Sequence, residues 1–111
     1  TIGGWLRDIG ITFTGLQLQS VSKTSAYTIT TADRLTYVDT TGGNVTVTLP
    51  AAATVTANTV YSVVKTAAGN TVTVDGDGAE EIDGNTTASL TNLYSRLDLI
   101  SNGSAWVSIN A

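Results

Sequence analysis

The sequence predicts an all-β protein: a single small β-sandwich, jelly-roll-like or barrel-like, with an N-terminal arm or added strand. Two segments carry most of that prediction. Asn44-Val45-Thr46-Val47-Thr48-Leu49-Pro50 and Asn70-Thr71-Val72-Thr73-Val74-Asp75 place apolar side chains at every second position with threonine between them. That is the period of a strand burying one face and wetting the other, and the two segments are expected to answer one another. Similar short runs recur between turn residues along the chain, which is the spacing of a sandwich or barrel.

Taken in order, residues 1 to 24 stand apart. Trp5, Leu6, Ile9, Ile11 and Phe13 crowd large apolar side chains together after Gly3-Gly4, and Gly15 breaks the run. The period of two at Ile9, Ile11 and Phe13 favours a strand continuing into Leu16 and Leu18. Val21 to Ser25 is small and polar and reads as a junction to the main domain, residues 25–111. Tyr27–Thr30 and Leu35–Asp39 flank a turn, and Gly42-Gly43 leads into the Val45 strand, a succession that reads as a meander. Pro50 ends that strand because it has no N–H for a ladder. Between Ala51 and Asn58 the β-branched Thr54, Val55 and Thr56 favour a turn or short 3₁₀ segment over a helix.

Val60–Thr66 carries apolar residues on both faces and reads as a central strand. Thr71–Asp75 follows the Ala67–Asn70 turn. Then come short strands at Glu80–Asp83 and Thr87–Thr91, a longer one at Tyr94–Ser101, and a last one at Trp106–Asn110 across the Asn102-Gly103 hairpin signal. The expected core is Val45, Val47, Leu49, Val72, Val74, Leu97, Leu99 and Val107, with Trp106 also read as a core residue.

Composition narrows the chemistry. The 111 residues include no cysteine, histidine or methionine, so thiols, imidazole bases and the usual zinc or haem ligands are excluded, and no cofactor is expected. Charged residues are 13% of the chain and threonine supplies 21 positions, so hydroxyls are left to keep the surface wet. A net charge of −4 with five scattered Lys and Arg argues against nucleic acid as a partner. No apolar run is long enough for membrane insertion as a helix. The lack of methionine before the small Thr1 leads to the expectation of a complete mature chain made in the cytoplasm.

From Tyr27 onward the order of Leu49-Pro50, Tyr61-x-x-x-Lys65, Ile82-Asp83-Gly84 and Asn102-Gly103-x-x-Trp106 resembles a β-sandwich module of tailed-bacteriophage virion proteins, found in tail fibres, spikes and head decorations. The resemblance covers about three quarters of the chain. It implies a structural virion protein, made in the host cytoplasm, that assembles as a homotrimer. The first reading is a capsid decoration (cement or head-spike) protein on the outer capsid surface, partnered by the major capsid protein or another virion protein. The alternative is a tail-fibre or tail-tip adhesin that binds a receptor or host surface glycan, which exposed Trp106 and tyrosines would favour. Residues 1–24 fall outside the resemblance and read as an attachment arm.

No catalytic or metal site is expected. Asp75, Asp77, Glu80, Glu81 and Asp83 are close in sequence, but Ala79 stands where an EF-hand-like loop needs its third ligand. Glu80 and Glu81, adjacent in a strand, point to opposite faces and cannot flank one glycosidic bond. Lys65 reads as a solvated or interface charge. Trp5, Leu6, Ile9, Ile11 and Phe13 are the candidate capsid-attachment residues. Tyr61, Tyr94, Arg96 and Asp98 are the candidate subunit-interface residues, the last three placed on one strand face opposite Leu97 and Leu99.

Overall fold

The computed structural model describes residues 19–110 of the chain. The attachment candidates Trp5, Leu6, Ile9, Ile11 and Phe13, and the strand expected there, lie outside the described residues. Among the described residues, nine strands form two mixed sheets: β1 (Ser20–Lys23), β2 (Tyr27–Thr28), β3 (Leu35–Val38), β4 (Val45–Thr48), β5 (Tyr61–Lys65), β6 (Val72–Asp75), β7 (Thr87–Leu90), β8 (Arg96–Ser101) and β9 (Trp106–Ser108). The five-stranded sheet runs β1-β3-β5-β8-β9 and the four-stranded sheet β2-β4-β6-β7.

Through β6 the chain alternates between the sheets. Each strand therefore lies beside the one two places earlier and runs parallel to it: β1 with β3, β3 with β5, β2 with β4, β4 with β6. This corrects the meander expected over Tyr27 to Val45, because sequence neighbours there are in different sheets and do not pair as hairpins. The expected partnership of the two Val-Thr segments holds in parallel form, with Val45 beside Val72 and Val47 beside Val74. Antiparallel pairing begins only at β7 and β8, and β9 folds back on β8 to end the larger sheet. The winding thus has a parallel beginning and an antiparallel end.

Both sheets contribute to one core. Val45, Val47, Val72, Val74 and Leu90 come from the smaller sheet, and Val38, Tyr61, Val63, Leu99 and Trp106 from the larger. Leu49 is buried as expected, and Leu97 packs against this cluster while only partly buried. Val107 is a correction: it is 39% exposed. Successive side chains of a strand point to opposite faces, so Trp106, at 1% exposure, takes the inward position and sends Val107 outward.

Two further expectations change. The junction read at Val21–Ser25 is largely strand, since Ser20–Lys23 pairs with Leu35–Val38 as the edge of the larger sheet. Glu80–Asp83 is not a regular strand; Ile82 makes isolated bridges to Asn85 and Trp106. Strand β5 is central in its sheet, as read, but only Tyr61, Val63 and Lys65 are buried along it, while Ser62 and Val64 are half-buried on the other face. The Ala51–Asn58 connection contains a 3₁₀ turn at Ala52–Thr54, in line with its β-branched residues.

Candidate functional site

Several connections between strands are fixed by polar groups that are buried or partly buried. At one end, the Tyr27 hydroxyl donates to Asp33 Oδ2, which also accepts from the Thr30 amide and hydroxyl, both at 3.0 Å. Burial works to raise the Asp33 pKa, but these donors and the charge of Lys23 outweigh it and hold the carboxyl below its ordinary range. The same hydrogen bond, with burial and the carboxylate charge, pushes the Tyr27 hydroxyl up. Nearby, Tyr61 donates to the Thr31 carbonyl at 2.6 Å and Arg34 lies over the Tyr61 ring, 5.4 Å from its centroid.

Tyr61 is therefore a core residue, which corrects its placement at a subunit interface. It is 3% exposed and meets Trp106 edge to face, with centroids 5.5 Å apart. Trp106 Nε1 donates to the Pro50 carbonyl at 3.3 Å, and the Ala52 amide donates to Glu80 Oε1 at 2.9 Å. Ser101 closes the same cluster by donating to the Ala52 carbonyl. Trp106 is thus buried and offers no platform for a sugar ring.

Lys65 is a second correction: it is fully buried rather than solvated. Its ammonium donates to the Ala67 carbonyl and to the Gly69 carbonyl, the latter at 2.8 Å. Thr40 donates to the same Gly69 carbonyl at 2.8 Å, and Asn70 Nδ2 donates to the Thr40 carbonyl at 2.8 Å. Lys65 thus gathers two carbonyls of the loop after β5, while Thr40 and Asn70 tie that loop to the one after β3. A buried ammonium needs such partners, because carbonyl dipoles replace the water it has lost.

The remaining interface candidates are on the surface. Arg96 and Asp98 face outward from β8, with Arg96 Nε 3.1 Å from Asp98 Oδ2, and Ser62 donates to Asp98 Oδ1 at 2.6 Å. Asn110 braces this strand by accepting from the Asp98 amide and donating to the Arg96 carbonyl. Tyr94 is not on that strand face; it precedes β8 in a left-handed turn, at φ 63°, and is 72% exposed. Asp98 has both oxygens engaged, one by Arg96 and one by Ser62, so the two charges offset each other within β8.

Among the described residues there is no concave pocket, and no three acidic side chains converge as metal ligands. The acidic stretch is dispersed instead: Glu80 holds Ala52, while Asp83 accepts from the Ser108 amide and hydroxyl, which lower its pKa. Asp39 is likewise held below its ordinary range by the Thr41 hydroxyl and amide. Sequence reasoning missed the Asp33 cluster, since nothing in the Tyr27–Asp33 spacing marks two residues that meet only after the chain has turned. It also missed Tyr37 and Val107 as exposed apolar residues of the larger sheet, and Ile109 just beyond its last strand. Comparison with protein-family models and with curated proteins gives no match for the chain.

Proposed function

We propose that the chain is a structural β-sandwich module of a tailed-phage virion, acting as a capsid decoration protein that assembles as a homotrimer on the outer capsid surface. One observation supports this most. Pieces of the virion-module resemblance that are far apart in sequence meet at one residue: the Trp106 ring meets Tyr61 edge to face, its Nε1 donates to the Pro50 carbonyl, and its backbone bridges to Ile82. Residues that define one packing unit are what a shared architecture would retain, and this supports reading the resemblance as one of architecture. The sharing of one core by two sheets supports the sandwich arrangement.

In this reading residues 1–24 supply the attachment arm, although Ser20–Lys23 is also part of the sheet. The tail-tip adhesin is the weaker alternative, because the exposed tryptophan that would favour it is buried. Purified chain should bind phage particles stripped of their decoration proteins, and electron microscopy of the complex should show added density on the head. Density on the tail alone would transfer the proposal to the adhesin, and no binding to any virion surface would end it.

A further inference from the structure

In four places an acidic or amide side chain precedes a glycine: Asp75-Gly76, Asp77-Gly78, Asp83-Gly84 and Asn102-Gly103. Such steps are where a polypeptide can alter its own backbone. The glycine nitrogen attacks the preceding side chain at Cγ and closes a five-membered imide, with loss of water from aspartic acid or of ammonia from asparagine. Water then opens the ring at either carbonyl, leaving aspartate or isoaspartate, in which the main chain runs through the former side chain. Glycine favours the attack because it has no Cβ to obstruct it. In an open chain the asparagine step is the faster, since an aspartate is ionised at neutral pH and a carboxylate is a poor electrophile.

Three of the four steps are locked. The Gly103 amide donates to Ser101 Oγ at 3.0 Å, and Asn102 Oδ1 accepts from the amides of Ser104, at 3.1 Å, and Ala105, at 2.9 Å. Ser101 is itself anchored to the Ala52 carbonyl in the interior. Nucleophile and electrophile are thus held by different partners, and they meet only if the β8–β9 hairpin opens. At Asp75-Gly76 the glycine amide donates to the Thr86 carbonyl at 3.2 Å. At Asp83-Gly84 Ser108 holds both carboxylate oxygens, at 2.8 and 2.6 Å. Asp77-Gly78 has neither restraint: among the described residues its carboxylate has no hydrogen-bond or ion-pair partner, and the Gly78 amide donates to no acceptor. Asn102 is as exposed as Asp77, so it is the hydrogen bonds, not access to water, that separate the two.

We propose that Asp77-Gly78 is the site at which this chain isomerises spontaneously, and that the β8–β9 hairpin keeps the intrinsically faster Asn102-Gly103 step from deamidating. The modified loop is tightly built. The Asp77 carbonyl accepts from the Glu80 amide at 2.9 Å, a Cβ at Gly76 would overlap the Glu80 carbonyl, and Glu80 Oε1 holds the Ala52 amide. Isoaspartate lengthens the main chain there by one methylene, which displaces Glu80 from Ala52.

The test is incubation of the full chain for weeks at neutral pH, folded and in guanidinium chloride, followed by peptide mapping by mass spectrometry and methyl transfer from S-adenosylmethionine by an isoaspartyl methyltransferase. The folded parent should gather isoaspartate at Asp77 and keep Asn102 intact, whereas the unfolded chain should lose Asn102 first. Asp77→Asn places the same asparagine-glycine chemistry at both sites of one folded molecule. Residue 77 should then deamidate about tenfold faster than Asn102 or more, because the hairpin step must wait for local opening. Equal rates at the two positions would overturn the protection by the hairpin. A folded parent without isoaspartate at Asp77, or with more of it at Asp75 or Asp83, would overturn the assigned site.

Discussion

Thr36 is the described residue whose local chemistry is least satisfied. It is fully buried between the β1 and β5 strands, and its hydroxyl has no hydrogen-bond partner. A buried hydroxyl without a partner loses hydration and gains nothing in return. Thr36→Val keeps the shape and removes the polar atom, so it should stabilise the fold by about 1 kcal/mol, read as a higher urea midpoint with an unchanged slope. Asp33 is the opposite case, a carboxylate with three donors on one oxygen. Its folded pKa lies below the unfolded value of about 3.9, so its stabilising effect is complete above that pH and is lost as pH falls through the folded pKa. Asp33→Asn should therefore be less stable than the parent at pH 7, with the gap narrowing below about pH 4 in parallel melts. A gap independent of pH would assign the effect to packing alone.

At the scale of the strand, the sequence was readable where its period was consistent and misleading where residue type intervened. Val45, Val47, Val72 and Val74 alternate with polar residues and are buried as that alternation requires. Tyr61, Val63 and Lys65 follow the same period of two and are all buried, yet a lysine at the third position reads as surface because ammonium groups rarely lose their water. Its carbonyl partners come from a loop whose course the sequence does not reveal. Trp106 and Val107 could not both face inward from one strand, and the larger aromatic ring filled the core. The direction of pairing was invisible for another reason: alternation is identical in parallel and antiparallel strands, and the loops alone decide which sheet the chain enters next. Leu99, central in the core and fully buried, tests the register of β8. Leu99→Ala should cost about 2 to 5 kcal/mol by leaving a cavity, whereas Ile100→Ala, facing outward, should cost clearly less in the same denaturation series.

For the molecule as a whole, alternation between sheets means that no local segment owns a private core. The buried apolar residues run from Ile29 to Trp106 and form one cluster, so removing any one core strand uncovers its neighbours. This gives the N-terminal region two parts with different consequences. A chain starting at Gln19 keeps every described strand, and it keeps the Gln19 carbonyl that accepts from the Arg34 and Leu35 amides. A chain starting at Ser25 loses β1, which turns β3 into the sheet edge and frees four residues of ladder. Both retain the cluster itself, so both should fold, but the shorter one should melt lower by several degrees, as expected for a loss of about 1 to 2 kcal/mol in a domain of this size. If the arm reading is right, both should also lose binding to stripped particles, and the chain starting at Gln19 should do so with little change in melting. Melting and particle binding recorded on the same two chains thus separate the sheet edge from the arm, and retained binding by the Gln19 chain would show that residues 1–18 do not carry attachment.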